Sequence, residues 1–236
     1  MSHHHLQGRT DTEILWFQRR DFLQAAAAWA AMGGISAAQA QSRSNIVELV
    51  GDARVNGTQL RPQQTIQTGD EIQTGPGSHL IFVLGNSSFH VRQNSRLQVG
   101  RGATINTVSL LRLLSGAIVS VWGKGTTRQI FTPTMTIGIR GTGVYTEIFA
   151  EQDDRSYFCN CYGTVQLNAG SDSKLYKSEY HQAYWGEASP RDGHFLTPAK
   201  AINHSDEELE FLARLVNQRT AWQITGKKGM KDGSGY

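Results

Sequence analysis

The chain has 236 residues and a formal net charge of +3, with 23 Lys and Arg against 20 Asp and Glu. No run of five or six like charges and no basic helix occurs, so nucleic acid is excluded as a natural partner. With an N-terminal leader removed, about 196 residues remain, enough for one domain or a domain with a small appendage.

Arg19 and Arg20 precede Asp21-Phe22-Leu23-Gln24, and a weakly apolar stretch, Phe22 to Ile35, follows. A basic pair, a soft apolar core and the small residues Ala38 and Ala40 have the form of a twin-arginine export signal cut before Gln41. Arg19, Arg20, Phe22 and Leu23 carry the motif. The apolar run is shorter than the ~20 residues that a membrane span needs. The expectation is therefore a periplasmic protein with no retained span.

Beyond residue 40, short apolar segments alternate with Gly, Asn and Asp, which predicts many short strands. Ile46–Val50 opens the series. Asn56-Gly57 is a hairpin signal, because both residues tolerate positive φ. Thr65–Gln67 leads to a turn at Thr68-Gly69-Asp70, and Glu71–Thr74 is the returning strand. His79–Leu84 reads as a buried strand, followed by Ser88–Arg92 and by Leu97 and Val99. Val108–Leu114 and Ala117–Trp122 read as two strands around Ser115-Gly116. Thr126–Phe131 and Met135–Ile139 come next, then a tight turn at Arg140-Gly141-Thr142-Gly143 and a strand over Val144–Phe149. Ser156–Tyr162 and Thr164–Leu167 read as a pair around Gly163. Leu175–Trp185 is taken as strand.

One helix stands out. Ser205-Asp206-Glu207-Glu208 has the form of a capping box, and Leu209, Leu212, Leu215 and Val216 make the apolar stripe that follows. This helix should end near Arg219, with a frayed basic tail behind it.

Several of these segments resemble the FecR domain. They are Val55-Asn56-Gly57, Ile66 with Gly69-Asp70, Ile72-Gln73-Thr74-Gly75, Leu114 to Val119, and Thr132 to Thr142, which closes on Ile139-Arg140-Gly141-Thr142. The resemblance covers Ile46 to Glu147, with Asn56, Gly57, Gly69, Asp70, Arg140, Gly141 and Thr142 as its signature. It implies an elongated all-β domain of stacked short strands and hairpins, here with one C-terminal α-helix. It also implies a non-catalytic periplasmic sensing, binding or scaffolding module with an envelope protein as partner. The leader reading carries a departure from the sensor plan: a cytosolic segment and a retained span are not expected here. Exposed edge strands could pair between copies. The expected organisation is a signal peptide over 1–40, a FecR-like domain over 41–149, a β extension over 150–203, a helix over 204–219 and a tail over 220–236.

The two cysteines, Cys159 and Cys161, lie two apart on an expected strand, so both thiols share one face with Tyr157. Three readings follow. Paired thiolates suit a transition metal such as Cu, Zn or Fe, with histidine completing the shell. His181, His194 and His204 lie downstream; His181 is the best placed, and Cys159, Cys161, His181 and His194 form the candidate set. The second reading is a strained disulfide acting as a redox switch, since Cα atoms two apart on a strand sit near ~6.6 Å against a preferred ~5.5 Å. The third is a pair of inert buried thiols. His79 and His90 are read as structural. Trp122, Trp185 and Trp222 could form a sugar platform but are far apart in sequence. No catalytic motif is apparent; a Cys–His nucleophile pair lacks any orienting signature.

Overall fold

The computed structural model describes residues 44–125 and 127–228. The expected export-signal segment, Thr126 and the end of the expected tail lie outside the described residues. Fourteen strands form one sheet in the order β14-β13-β11-β10-β9-β8-β7-β4-β2-β3, with β1, β5, β6 and β12 attached beside that path. The fold is mainly β, as the sequence predicts; among the described residues its α-helices lie at the C-terminal end, and a single 3-10 turn, Ala150–Gln152, joins two long strands.

The N-terminal strands are β1 (Ile46–Val50), β2 (Ala53–Val55), β3 (Thr58–Gln59), β4 (Glu71–Thr74), β5 (His79–Leu84), β6 (Ser87–Val91) and β7 (Arg96–Val99). Asn56 and Gly57, at φ 52° and 78°, turn β2 into β3 as expected. Thr65–Gln67 is not a strand; Asn45 ties this stretch down instead, bonding Ile66 through both its side-chain atoms at 2.8 and 2.9 Å.

The largest departures from the sequence reading share one cause. Each of three expected strand pairs is a single long strand: β8 (Leu110–Trp122), β10 (Thr136–Phe149) and β11 (Arg155–Ala169). In each, a glycine with positive φ lies mid-strand: Gly116 at 73°, Gly141 at 64° and Gly163 at 103°. A positive-φ glycine inside a strand makes a bulge or bend as readily as a turn. β8 pairs with β7 before Gly116 and with β6 after it. β10 leaves the short strand β9 (Arg128–Phe131) for β8, with the register slipping between Arg140 and Gly143. The expected tight turn at Arg140–Gly143 is therefore a bulge.

Leu175–Trp185 is likewise not one strand. It comprises β12 (Asp172–Ser178), a turn, and the start of β13 (Gln182–Arg191), with β14 (His194–Ala199) closing the sheet. His181 lies in that turn at φ 33°. β11 pairs with β10 across the expected boundary at residue 149, so the FecR-like stretch and the β extension share one sheet.

Alternation sorts the side chains into two cores. Leu80, Phe82, Phe89, Ile118, Trp122, Ile137, Val144 and Phe158 fill the interior of the folded sheet. Their neighbours Ile81, Val119, Val121, Tyr145, Tyr157, Cys159 and Cys161 point to the other face, where the helices cover them.

Two helices provide that cover, not one: α1 (Asp206–Leu215) and α2 (Ala221–Thr225). Ser205 caps α1 through the Glu208 N–H. The Glu208 side chain does not complete the box. It is buried against the sheet, accepting from Arg92 Nη2 at 2.5 Å and from His90 Nδ1 at 2.7 Å. The complete capping box is Thr220 with Gln223 at α2, inside the expected tail. Trp222 is why that segment folds: its ring is 1% exposed, and burying so large an aromatic is worth several kcal/mol. Among the described residues, no helix is long and apolar enough to cross a membrane.

Candidate metal centre

β11 carries Cys159 and Cys161, with Cys159 opposite Tyr145 on β10 and Ala183 on β13. Their position on one strand face follows from their spacing. The turn between β12 and β13 then brings His181 over them, held by the His181 N–H donating to the Cys161 carbonyl at 3.0 Å. After β14 the chain crosses back, and His204 arrives one residue before the α1 cap.

One ligand atom from each of Cys159, Cys161, His181 and His204 lies within 4.8 Å of all the others. The thiol sulfurs are 4.0 Å apart. Cys159 Sγ is 3.7 Å from His181 Nδ1, and His181 Nδ1 is 3.0 Å from His204 Nε2. A tetrahedral ion with metal–sulfur bonds near ~2.3 Å and metal–nitrogen bonds near ~2.05 Å would have S···S about 3.8 Å, S···N about 3.6 Å and N···N about 3.3 Å apart. The three observed separations stand within a few tenths of an ångström of that shape, and no pair of the four donors exceeds 4.8 Å.

The outward nitrogens are committed. His181 Nε2 donates to Asp206 Oδ1 at 2.7 Å, and His204 Nδ1 donates to the Ile202 carbonyl at 2.6 Å. A carboxylate or carbonyl behind each imidazole is the arrangement that fixes the tautomer and turns the other nitrogen toward a metal. Tyr180 donates to the second Asp206 oxygen at 3.0 Å. The His204 ring stacks on Tyr145 with centroids 4.8 Å apart, and the Trp222 ring stacks on His181 at 5.3 Å.

The electrostatics fit a thiolate site. Burial opposes charge on His181, yet Asp206 and Cys159 raise its pKa to about 9. Burial would also raise Cys159, but the Cys161 hydrogen bond and the nearby His204 and His181 hold it well below the usual thiol range. Cys161 goes the other way, pushed up by burial and by its neighbour Cys159. A cation would relieve that opposition, because it stabilises both thiolates at once.

His194 is not part of this group. It opens β14 at the tip of the β13–β14 hairpin, opposite Arg191, with its side chain 70% exposed beside Asp172. Arg191 is eight residue steps beyond Ala183, so the tip lies roughly 25 Å along the strand from the cysteines. His204 supplies the fourth ligand atom in its place. Asp206, Tyr180 and Trp222, which hold the histidines, carry no sequence motif for this role; the one usable sign is the helix start at Ser205, which fixes the residues around it.

The FecR-like signature falls in two places. Asn56 Nδ2 donates to Asp70 at 2.8 Å and Asn56 Oδ1 accepts from the Glu71 N–H at 2.9 Å, while Asp70 accepts from the Gln67 N–H at 2.8 Å. These bonds lock two turns together, with Gly57 and Gly69 at positive φ. Arg140 is exposed at the β10 bulge, Gly141 makes that bulge, and Thr142 is buried beside it. The remaining histidines of the sheet are polar anchors: His79 meets Glu48 at 3.3 Å and His90 meets Glu208. Trp122 is buried in one core, while Trp222 and the half-buried Trp185 belong to the other, so these three do not share one face.

No family model matches the chain, and no curated protein matches it. Among solved structures, two of a provisionally named anti-sigma factor from Parabacteroides distasonis, at 1.65 and 2.50 Å resolution, are similar to it at 12% and 11% identity. Their TM-scores are 0.44 and 0.45, and each likeness covers 56% of this chain and 60% of that one.

Proposed function

We propose that the protein is a non-catalytic β-sheet module that holds one transition-metal ion at Cys159, Cys161, His181 and His204. The observation that carries this reading is the four ligand atoms within 4.8 Å of one another, each imidazole being backed by an acceptor. Zinc is the expected ion. Two thiolates neutralise its charge, and a near-tetrahedral S2N2 set is its usual closed, structural shell, whereas catalytic zinc keeps a position open. The FecR-like segments and the twin-arginine leader support an exported module of the sensing or scaffolding kind, with an envelope protein as partner.

Cys159, His181 and Asp206 also line up as a nucleophile, base and orienting acid would. Against that use, the Cys159 thiol is 0% exposed, and the ring of Trp222 lies over His181. A disulfide is disfavoured because the sulfurs at 4.0 Å would have to close to about 2.05 Å inside a packed core.

The test is metal analysis by mass spectrometry on full-length protein purified without chelators, with a thiol titration on the same sample. About one zinc per chain, with both thiols reactive only after chelation, is the expected result. No metal and two freely titratable thiols in the folded protein would refute the reading.

A further inference from the structure

We infer that the ion does more than fill a site: its occupancy sets how firmly residues 200–228 are seated on the sheet. This inference rests on the metal reading above. Three donors belong to the body of the sheet, Cys159 and Cys161 on β11 and His181 in the β12–β13 turn. The fourth, His204, belongs to the segment that leads into α1, and Asp206, which holds His181, is the first residue of α1. A metal bound by all four is thus a covalent-strength cross-link between two parts that otherwise meet through side chains.

The segment has other contacts of two kinds: Leu209, Phe211, Leu212, Leu215 and Trp222 are buried against the second core, and a set of polar contacts flanks them. Glu208 meets Arg92 and His90, Ser88 Oγ donates to the Leu212 carbonyl at 2.7 Å, and Asn203 donates to Glu147 at 2.8 Å. The loss of solvation offsets much of the attraction in such a buried ion pair, so its net hold is small. Neither helix can persist alone. α1 has 10 residues and α2 has 5, below the ~12–15 at which an isolated helix is even marginal in water. An unseated segment would therefore lose its helices as well as its place. Trp222 would leave His181, and the apolar face formed by Ile81, Val119, Val121 and Tyr145 would be uncovered. The regulated element is the segment, and its ligand is the metal.

Hydrogen exchange on the full chain, with saturating zinc and after chelation, reads this directly. On removing zinc, amides of α1 and α2 should exchange more than about tenfold faster while those of β5, β6 and β8 keep their protection. The His204→Ala variant should still take up zinc, more weakly, through the three donors on the body, yet show the unprotected segment at saturating zinc. Failure to bind zinc at all sinks both the metal reading and this inference. Zinc binding with unchanged protection over 200–228, or with equal loss across the whole sheet, overturns the inference alone. So does a zinc-loaded His204→Ala protein whose segment stays protected.

Discussion

His181 Nδ1 and His204 Nε2 face each other at 3.0 Å, and each ring has its opposite nitrogen bonded to an acceptor of its own. Two imidazoles so oriented present their inner nitrogens to a single point. Replacing His204 by Ala is expected to weaken zinc binding by more than about 100-fold, and Asp206→Asn by about 10- to 100-fold. His194→Ala should leave affinity unchanged. Competition against a chromophoric zinc chelator measures all three, and a large effect at His194 would mean the wrong donor set.

Glu208 offers a second test, independent of metal. It is buried between Arg92 and His90. Glu208→Ala strands a buried guanidinium and should lower stability by about 3–5 kcal/mol in urea unfolding at fixed zinc. A surface control such as Glu207→Ala should shift it by less than about 0.5 kcal/mol.

The same contact gives a pH dependence with a defined sign. Burial first, and then the Arg92 charge, depress His90 to about 3, although Glu208 pulls the other way and the nearby His79 adds to the depression. The unfolded chain takes up a proton near its ordinary value of about 6.5 while the native state does not. Stability should therefore be fully present above pH 6.5 and decline as pH falls from there toward 3. Glu208, also lowered, adds its own loss below the ordinary carboxylate range. His90→Gln should flatten the decline between pH 6.5 and 5 relative to the parent; an unchanged slope would show that another group is responsible.

The bent strands make a ranked prediction. An alanine Cβ at Gly116 would lie 2.6 Å from Ser95 Cα, and at Gly163 it would lie 2.8 Å from the Gly141 carbonyl oxygen. At Gly141 the nearest atom is the Lys124 side chain at 3.4 Å. All three have positive φ, so each substitution strains the backbone, but Gly116→Ala and Gly163→Ala add collisions with backbone. They should lower the thermal midpoint by several degrees more than Gly141→Ala.

Those glycines also mark where the sequence stopped being informative. Strand content, the Asn56-Gly57 hairpin, the Cys159–Cys161 shared face and the start of α1 are local, and each was legible. Whether Gly116 reverses the chain or only bends it depends on partners far away, β7 on one side and β6 on the other, which no local pattern encodes. The histidines divide the same way. His181 was within reach because it adjoins the strand beside the cysteines. His204 and His194 were indistinguishable until the length of the β13–β14 hairpin showed which end returns to β11. Glu208 had the spacing of a cap, and a charged pair across the sheet took it instead.

The donor set has an order in time as well as in space. Cys159, Cys161 and His181 are joined by neighbouring hairpins, while His204 follows only after β14 has turned back. A chain emerging N-terminus first can pair β10, β11, β12 and β13 before it possesses the last ligand. Full coordination therefore has to wait until His204 has been made, and a nascent or truncated chain that ends before it would have the sheet's three donors without the fourth.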